Sequence, residues 1–152
     1  MGRKIQIGVV GARYCSDKTA SIAKELGRLV SEEGWVLISG GHGGVMEAAS
    51  KGSFEDGGIT IGILPESGET KANPYLTHVI KTGMAEARNV IIVHSSDVLV
   101  AVDGKYGTLS EIALALAHKK HVLGIETWDI PGVEEVKSPE QAIRRVKEIL
   151  GE

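Results

Sequence analysis

Continuous apolar runs of strand length alternate along the chain with stretches that have the spacing of helices. The runs predicted as strands cover residues 5–10, 35–38, 59–64, 98–102 and 121–125, and the last of these is the expected final strand. Helices are predicted after Ser16, over about 45–51 and 108–118, and after Ser138. Residues 79–80 are predicted as a short strand, whereas the pattern over 84–93 fits a helix or a strand equally.

Unbroken apolar strands are typical of a parallel sheet that is buried on both faces. Their alternation with helices, through short glycine turns, predicts one α/β domain over residues 1–152. The expected architecture is a Rossmann-like, doubly wound parallel sheet with helices on both faces. In such a sheet, ligands bind at the carboxyl ends of the strands, and the glycine-rich segments of this chain lie there.

The composition narrows the class of protein. Among the 152 residues there is one cysteine, Cys15, so no internal disulfide can form, which is typical of the reducing cytoplasm. No run reaches the roughly 18 continuous apolar residues of a membrane span, and a net charge of −3 provides no broad basic field. We therefore expect a cytoplasmic protein without membrane association, and we do not expect nucleic acid as its partner.

Two glycine-rich segments each follow a predicted buried strand. A glycine turn between a strand and a helix directs backbone N–H groups toward an anion at the positive end of the helix. The sequence therefore predicts a site for a phosphate-bearing ligand, to which Gly11 and Arg13 after the first strand also belong. The alternatives are that the glycines only form tight turns and that Arg13 stands in a plain turn. The residues of the two segments are Gly40, Gly41, His42, Gly43 and Gly44 in the first, and Gly104, Lys105, Tyr106, Gly107 and Thr108 in the second.

Neither segment matches the Gly-x-Gly-x-x-Gly fingerprint or the P-loop, which argues against a nicotinamide dehydrogenase and a P-loop ATPase. Glu111 is a candidate for hydroxyl binding or general base catalysis, with helix electrostatics as the alternative. Arg88 is a candidate for bidentate phosphate binding, with an ordinary surface ion pair as the alternative. The histidines have no convincing metal spacing, so no metal site is predicted.

The same residues carry a resemblance to a known family. The run from Gly40 to Met46 resembles the first signature of the LOG family, also called lysine-decarboxylase-like. The run from Gly104 to Glu111 resembles its second signature, Pro-Gly-Gly-x-Gly-Thr-x-x-Glu, and Met84 and Arg88 resemble its arginine-bearing segment. The resemblance covers about residues 5–126 and is greatest to the branch with DprA/Smf-related proteins and molybdenum cofactor carriers.

This resemblance implies a Rossmann-like homo-oligomer, a dimer or tetramer, that binds a nucleotide or the molybdenum cofactor. LOG enzymes release a base from a cytokinin nucleoside monophosphate, and Arg88 and Glu111 stand at the positions of their catalytic pair. The small and apolar residues of the helix that contains Glu111 would permit close packing between copies, and burial within the chain's own fold is the alternative explanation of the same pattern. These residues are Leu109, Ile112, Ala113 and Leu116.

Two positions depart from the LOG pattern, because Asp103 replaces a proline and Lys105 replaces a glycine. Lys105 adds a charge beside the expected phosphate, so binding is better supported than hydrolysis. Two functions stay open: a carrier or sensor of a phosphate-bearing nucleotide or pterin-type cofactor, and a phosphoribohydrolase acting on a nucleoside 5′-monophosphate. A DNA-binding relative of DprA is a third, which the acidic net charge disfavours.

Overall fold

All the strands form one parallel sheet. The computed structural model describes residues 2–152, and within them the sheet order is β4-β3-β2-β1-β5-β6-β7, with every neighbouring pair parallel. The strands are β1 (Gln6–Gly11), β2 (Val36–Ser39), β3 (Thr60–Leu64), β4 (His78–Lys81), β5 (Val98–Val102), β6 (His121–Ile125) and β7 (Val133–Glu135).

Five helices cover the two faces of this sheet. They are α1 (Asp17–Glu32), α2 (Val45–Glu55), α3 (Arg88–Ser95), α4 (Tyr106–Ala117) and α5 (Pro139–Leu150). Apolar residues of α1, α2 and α5 form one core with the sheet, and those of α3 and α4 form the other. All five residues of β5 are buried, because both of its faces are covered. The predicted fold class is therefore confirmed.

The direction of winding changes beside β1. The chain adds β2, β3 and β4 on one side of β1 and then crosses to build β5, β6 and β7 on the other. After β1 the chain enters α1 on one face, and after β5 it enters α4 on the opposite face. The two loops diverge and leave a crevice at the carboxyl ends of these neighbouring strands, which is the usual ligand position in a doubly wound sheet.

Several predicted boundaries are wrong. β6 is not the final strand, because Val133–Glu135 adds β7 at the sheet edge, where Glu134 and Glu135 are exposed and give no apolar signal. Helix α2 continues to Glu55, and α4 begins at Tyr106, two residues before its predicted start. The ambiguous segment 84–93 becomes a 3₁₀ turn, Ala85–Ala87, followed by α3.

The expected association of copies through α4 stays a prediction. Ile112 is fully buried in the core of its own chain, and Leu109 and Leu116 are half-buried, so the apolar pattern of α4 partly reflects intramolecular packing. Ala113 is exposed. No helix within residues 2–152 combines the length and apolarity needed to cross a membrane.

Candidate functional site

A cavity of about 260 Å³ opens at the crevice between the ends of β1 and β5. The predicted site residues that line it are Gly11, Arg13, His42, Arg88, Lys105, Gly107, Thr108 and Glu111. Its other lining residues are Ala12, Tyr14, Met46 and Asn89. The structure thus brings together residues from the ends of three strands and the starts of α3 and α4.

Six predicted ligand-binding residues do not line this cavity: Gly40, Gly41, Gly43, Gly44, Gly104 and Tyr106. Their contact with a ligand stays a prediction, and the structure gives several of the glycines a packing role. A Cβ atom on Gly44 would lie 2.2 Å from the Ala12 carbonyl oxygen, and one on Gly104 would lie 2.3 Å from Thr108 Oγ1. These glycines let the loops approach one another closely.

Helix α4 begins at the cavity without a side-chain cap. Lys105 is its N-cap residue and makes no capping hydrogen bond, whereas Ser16 and Ser138 cap α1 and α5 in the usual way. The first amides of a helix have no intrahelical acceptor, and they carry the positive end of the helix dipole. The start of α4 therefore offers free donors to an anion, beside the ammonium group of Lys105.

The turn before α4 explains why Asp103 departs from the LOG pattern. Asp103 has a φ of +54°, which proline, fixed near −65°, cannot adopt. Aspartate is among the few residues other than glycine that enter this left-handed region. Its carbonyl oxygen accepts a hydrogen bond of 2.6 Å from Thr127 Oγ1, and its N–H donates to Ile125 at 3.1 Å. The backbone conformation of the turn thus suits aspartate, and hydrogen bonds join the turn to the end of β6.

Arg88 reaches the site from the first turn of α3, but its guanidinium is held by backbone. Its Nη1 atom donates to the carbonyl oxygens of Gly40 and Ile63, each at 2.6 Å. Its Nε atom is buried and has no hydrogen-bond partner among residues 2–152. Burial lowers the pKa of Arg88, although the nearby Glu111 carboxylate opposes this shift. The alternative of an ordinary surface ion pair is therefore wrong.

Glu111 is 8% exposed, although it stands in the second turn of a helix whose outer face meets solvent. Burial raises its pKa to about 7, and the positive charge of Arg88 opposes the rise. The carboxyl group therefore gains and loses its proton in the neutral pH range. A strongly shifted pKa in a cleft, next to a specific charged partner, is a mark of functional sites.

The first glycine loop is held by Asn73 and Glu66, in the segment between β3 and β4, and the sequence indicated neither as a site residue. Asn73 donates from its backbone N–H to Gly41 and from its side chain to the His42 carbonyl, both at 2.9 Å. His42 Nε2 lies 3.0 Å from Glu66 Oε1. Burial lowers the pKa of His42, and the hydrogen bond to Glu66 opposes this shift. The buried imidazole is thus a fixed, neutral wall of the cavity.

The described residues contain no group of three or more histidine, cysteine, aspartate or glutamate side chains that could hold a metal ion. The donors around the cavity are instead cations and amides, which suit an anionic ligand.

Solved structures similar to this chain include molybdenum cofactor proteins. The molybdenum cofactor binding protein of Rippkaea orientalis is 39% identical, with a TM-score of 0.92 over 97% of this chain and 98% of that one. The molybdenum cofactor carrier protein of Chlamydomonas reinhardtii is 37% identical, with a TM-score of 0.89 over 98% and 100% of the two chains.

Relatives by sequence extend to the LOG enzymes. A protein of Archaeoglobus fulgidus is 47% identical over 91% of this chain and 92% of its own length. The cytokinin riboside 5′-monophosphate phosphoribohydrolase of Mycobacterium tuberculosis is 28% identical over 70% of this chain, which spans 62% of that enzyme. These findings confirm the LOG-like resemblance and its molybdenum cofactor carrier-like branch. The model of the SLOG cluster4 family matches residues 4–150, and the chain therefore belongs to that family.

Proposed function

We propose that the cavity binds a phosphate-bearing ligand of the pterin or nucleotide class, and that the protein acts as its carrier or sensor. The observation that carries this proposal is the uncapped start of α4 at a cavity lined by Arg13, Arg88 and Lys105. A phosphate placed there would accept hydrogen bonds from helix amides and meet two exposed cations, Arg13 and Lys105.

The charge balance of the cavity favours a dianion. Its lining contains three cationic side chains against one carboxyl group, that of Glu111, and burial raises the pKa of this group to about 7. Arg88 is already committed to two carbonyl oxygens, so Arg13 and Lys105 are the cations free to turn toward a ligand. We therefore assign the phosphate contact to Arg13, Lys105 and the first amides of α4, with Thr108 as a further donor.

The molybdenum cofactor is the first candidate for the ligand, carried as cargo. It is a pterin that bears a phosphate and holds its metal through its own sulfur atoms, so a carrier needs donors for the phosphate and the ring. The lining of this cavity supplies such donors. Similarity to the Rippkaea orientalis and Chlamydomonas reinhardtii proteins supports this choice.

Native mass spectrometry of the purified protein tests the proposal, followed by calorimetric titration with the molybdenum cofactor and with guanosine 5′-monophosphate. We expect a retained or titratable ligand, and a loss of affinity of roughly tenfold or more in Lys105→Gln and Arg13→Gln. The control is Lys81→Gln, because Lys81 is an exposed lysine of β4 outside the cavity. A protein that binds no phosphate-bearing pterin or nucleotide contradicts the proposal.

A second candidate function is the phosphoribohydrolase, which one observation favours. Glu111, with its pKa of about 7, can either accept or donate a proton at neutral pH, as general acid–base catalysis requires. The test is release of free base from a panel of nucleoside 5′-monophosphates. If this activity exists, Glu111→Gln should abolish turnover while binding of the phosphate by Arg13 and Lys105 remains measurable. Base release that persists undiminished in Glu111→Gln excludes this role for the carboxyl group.

A further inference from the structure

Aromatic side chains are few in this protein and unevenly distributed. The chain has three tyrosines, two tryptophans and one phenylalanine. Three of the six lie just beyond the carboxyl ends of β1, β5 and β6, which are neighbouring strands at the crevice. These are Tyr14, Tyr106 and Trp128. Half of the aromatic residues therefore surround the edge of the sheet at which the cavity opens.

Five of the six aromatic side chains pack in the core or against another aromatic ring. Trp35 is buried in the core beneath α1. Phe54 and Tyr75 form an edge-to-face pair with their ring centroids 6.1 Å apart. Tyr106 and Trp128 form a second pair at 6.2 Å, and the Trp128 indole N–H donates to the Lys105 carbonyl at 3.0 Å. Packing accounts for Trp35, Phe54, Tyr75 and Trp128, whereas Tyr106 is 80% exposed and does not line the cavity.

Tyr14 differs from the others. It is 85% exposed and has no aromatic partner among residues 2–152, yet it lines the cavity next to Arg13. A single exposed tyrosine needs no explanation on an ordinary surface. At the wall of a phosphate cavity, however, an open ring face offers a platform on which a flat heterocycle can stack.

We propose that Tyr14 is the stacking residue for the planar ring of the bound ligand, and that it gives the site its preference for heterocyclic phosphates over simple sugar phosphates. This inference rests on the proposed function, because it takes the phosphate to be held by Arg13, Lys105 and the start of α4. With the phosphate fixed there, the remainder of the ligand extends along the wall that Tyr14 forms. Guanine and pterin share a flat 2-amino-4-oxopyrimidine ring, so guanosine 5′-monophosphate is a suitable probe.

The experiment compares guanosine 5′-monophosphate with ribose 5-phosphate, which has the same sugar phosphate and no base. Dissociation constants are measured by calorimetry for the wild type, Tyr14→Phe, Tyr14→Leu and Phe54→Leu. Phe54→Leu is the matched control, since Phe54 is a partly exposed aromatic residue outside the cavity. Thermal unfolding of each variant shows that it is folded, which an exposed position favours.

The wild type should bind the nucleotide roughly 5- to 150-fold more tightly than ribose 5-phosphate, the range typical of stacking on one aromatic side chain. Tyr14→Leu should lose most of this preference while its affinity for ribose 5-phosphate stays unchanged. Tyr14→Phe and Phe54→Leu should keep the preference. An undiminished preference in Tyr14→Leu overturns the stacking role alone. A wild type that binds neither compound and does not bind the molybdenum cofactor contradicts the phosphate site, and with it both proposals.

Discussion

The guanidinium of Arg88 lies directly against Gly40 at the end of β2. The Nη1 atom of Arg88 donates a 2.6 Å hydrogen bond to the Gly40 carbonyl oxygen, and a Cβ atom at Gly40 would lie 2.6 Å from that same nitrogen. The missing side chain of Gly40 therefore leaves room for the guanidinium to bridge the ends of β2 and β3. In this way the first glycine loop positions the arginine.

A Gly40→Ala variant should displace the Arg88 guanidinium and weaken ligand binding. Hydrogen bonds to a charged group contribute roughly 1.5–3 kcal/mol, so loss of one bond to Arg88 should lower the free energy of unfolding by about that amount. We expect nucleotide affinity to fall as well, because Arg88 lines the cavity. Urea unfolding and calorimetry with guanosine 5′-monophosphate measure the two effects.

Gly68→Ala is the control for this change. Gly68 is exposed, and a Cβ atom there would meet no atom within 4 Å. This substitution should leave both quantities nearly unchanged. Equal effects of Gly40→Ala and Gly68→Ala would show that the contact with Arg88 is unimportant.

The sequence predicts the fold and the location of the site because both depend on local patterns. The buried strands are recognisable in the sequence as unbroken apolar runs. The residues that follow β1, β2 and β5 lie close together because parallel strands end at the same edge of the sheet. The hydrogen bonds of Arg88 could not be predicted in the same way. They join Arg88 to Gly40, 48 positions away, and to Ile63, 25 positions away. The spacing of apolar residues does not predict contacts over such distances in the sequence.

Glu111 should make the stability of the protein depend on pH. In the folded state burial raises its pKa from 4.5 to about 7, so the folded protein binds a proton more tightly than the unfolded chain. Between about pH 4.5 and about pH 7 the unfolded chain has lost this proton while the folded protein still holds it, so the free energy of unfolding falls as the pH rises. This loss of stability is complete above about pH 7. Its full size is about 3 kcal/mol, from the difference between the two pKa values.

Glu111→Gln isolates this effect, because glutamine has nearly the same volume and does not titrate. Urea unfolding of both proteins between about pH 5 and about pH 8 should show the variant gaining stability relative to the wild type as the pH rises. Wild-type and variant profiles that remain parallel across this interval would mean that the carboxyl group titrates as it does in the unfolded chain.

Asn73 should hold the first glycine loop in its conformation. Asn73→Ala leaves the buried carbonyl oxygen of His42 without its 2.9 Å side-chain donor, which costs about 1–3 kcal/mol. Hydrogen exchange should become faster at the amides of residues 42–46, because the loop opens more often. Asn73→Asp retains the acceptor for the Tyr75 N–H but loses the donor to His42, so it should have a similar effect. Unchanged exchange in both variants would locate the anchor of the loop elsewhere.

The role of Asn73 shows what sequence patterns leave out. Residues 66–74 are polar and contain glycine and proline, which predicts a mobile surface loop beside the ligand face. In the structure they form no helix or strand, and their mobility stays a prediction. Asn73 is nevertheless only 7% exposed, and its side-chain amide donates a hydrogen bond to the backbone carbonyl oxygen of His42, in the loop after β2. Nothing in the composition of the segment distinguishes this asparagine from the exposed residues around it.

Gly44 and Gly57 provide a matched test of what the glycine loop requires. Both have positive φ, +64° and +82°, so alanine is strained at either position. A Cβ atom on Gly57 would meet no atom within 4 Å, whereas one on Gly44 would lie 2.2 Å from the Ala12 carbonyl oxygen and 2.4 Å from the Arg13 backbone.

Gly57→Ala should therefore cost only the strain of the left-handed conformation, about 1–2 kcal/mol of unfolding free energy. Gly44→Ala should cost clearly more for two reasons. The ψ of Gly44 is −128°, which lies outside the left-handed helical region, and the added Cβ atom pushes the Arg13 loop away from the start of α2. Urea unfolding measures the difference, and calorimetry should show that nucleotide binding is impaired in Gly44→Ala alone. Equal costs for the two substitutions would mean that the loops can separate freely, and that the position of Arg13 at the cavity does not depend on Gly44.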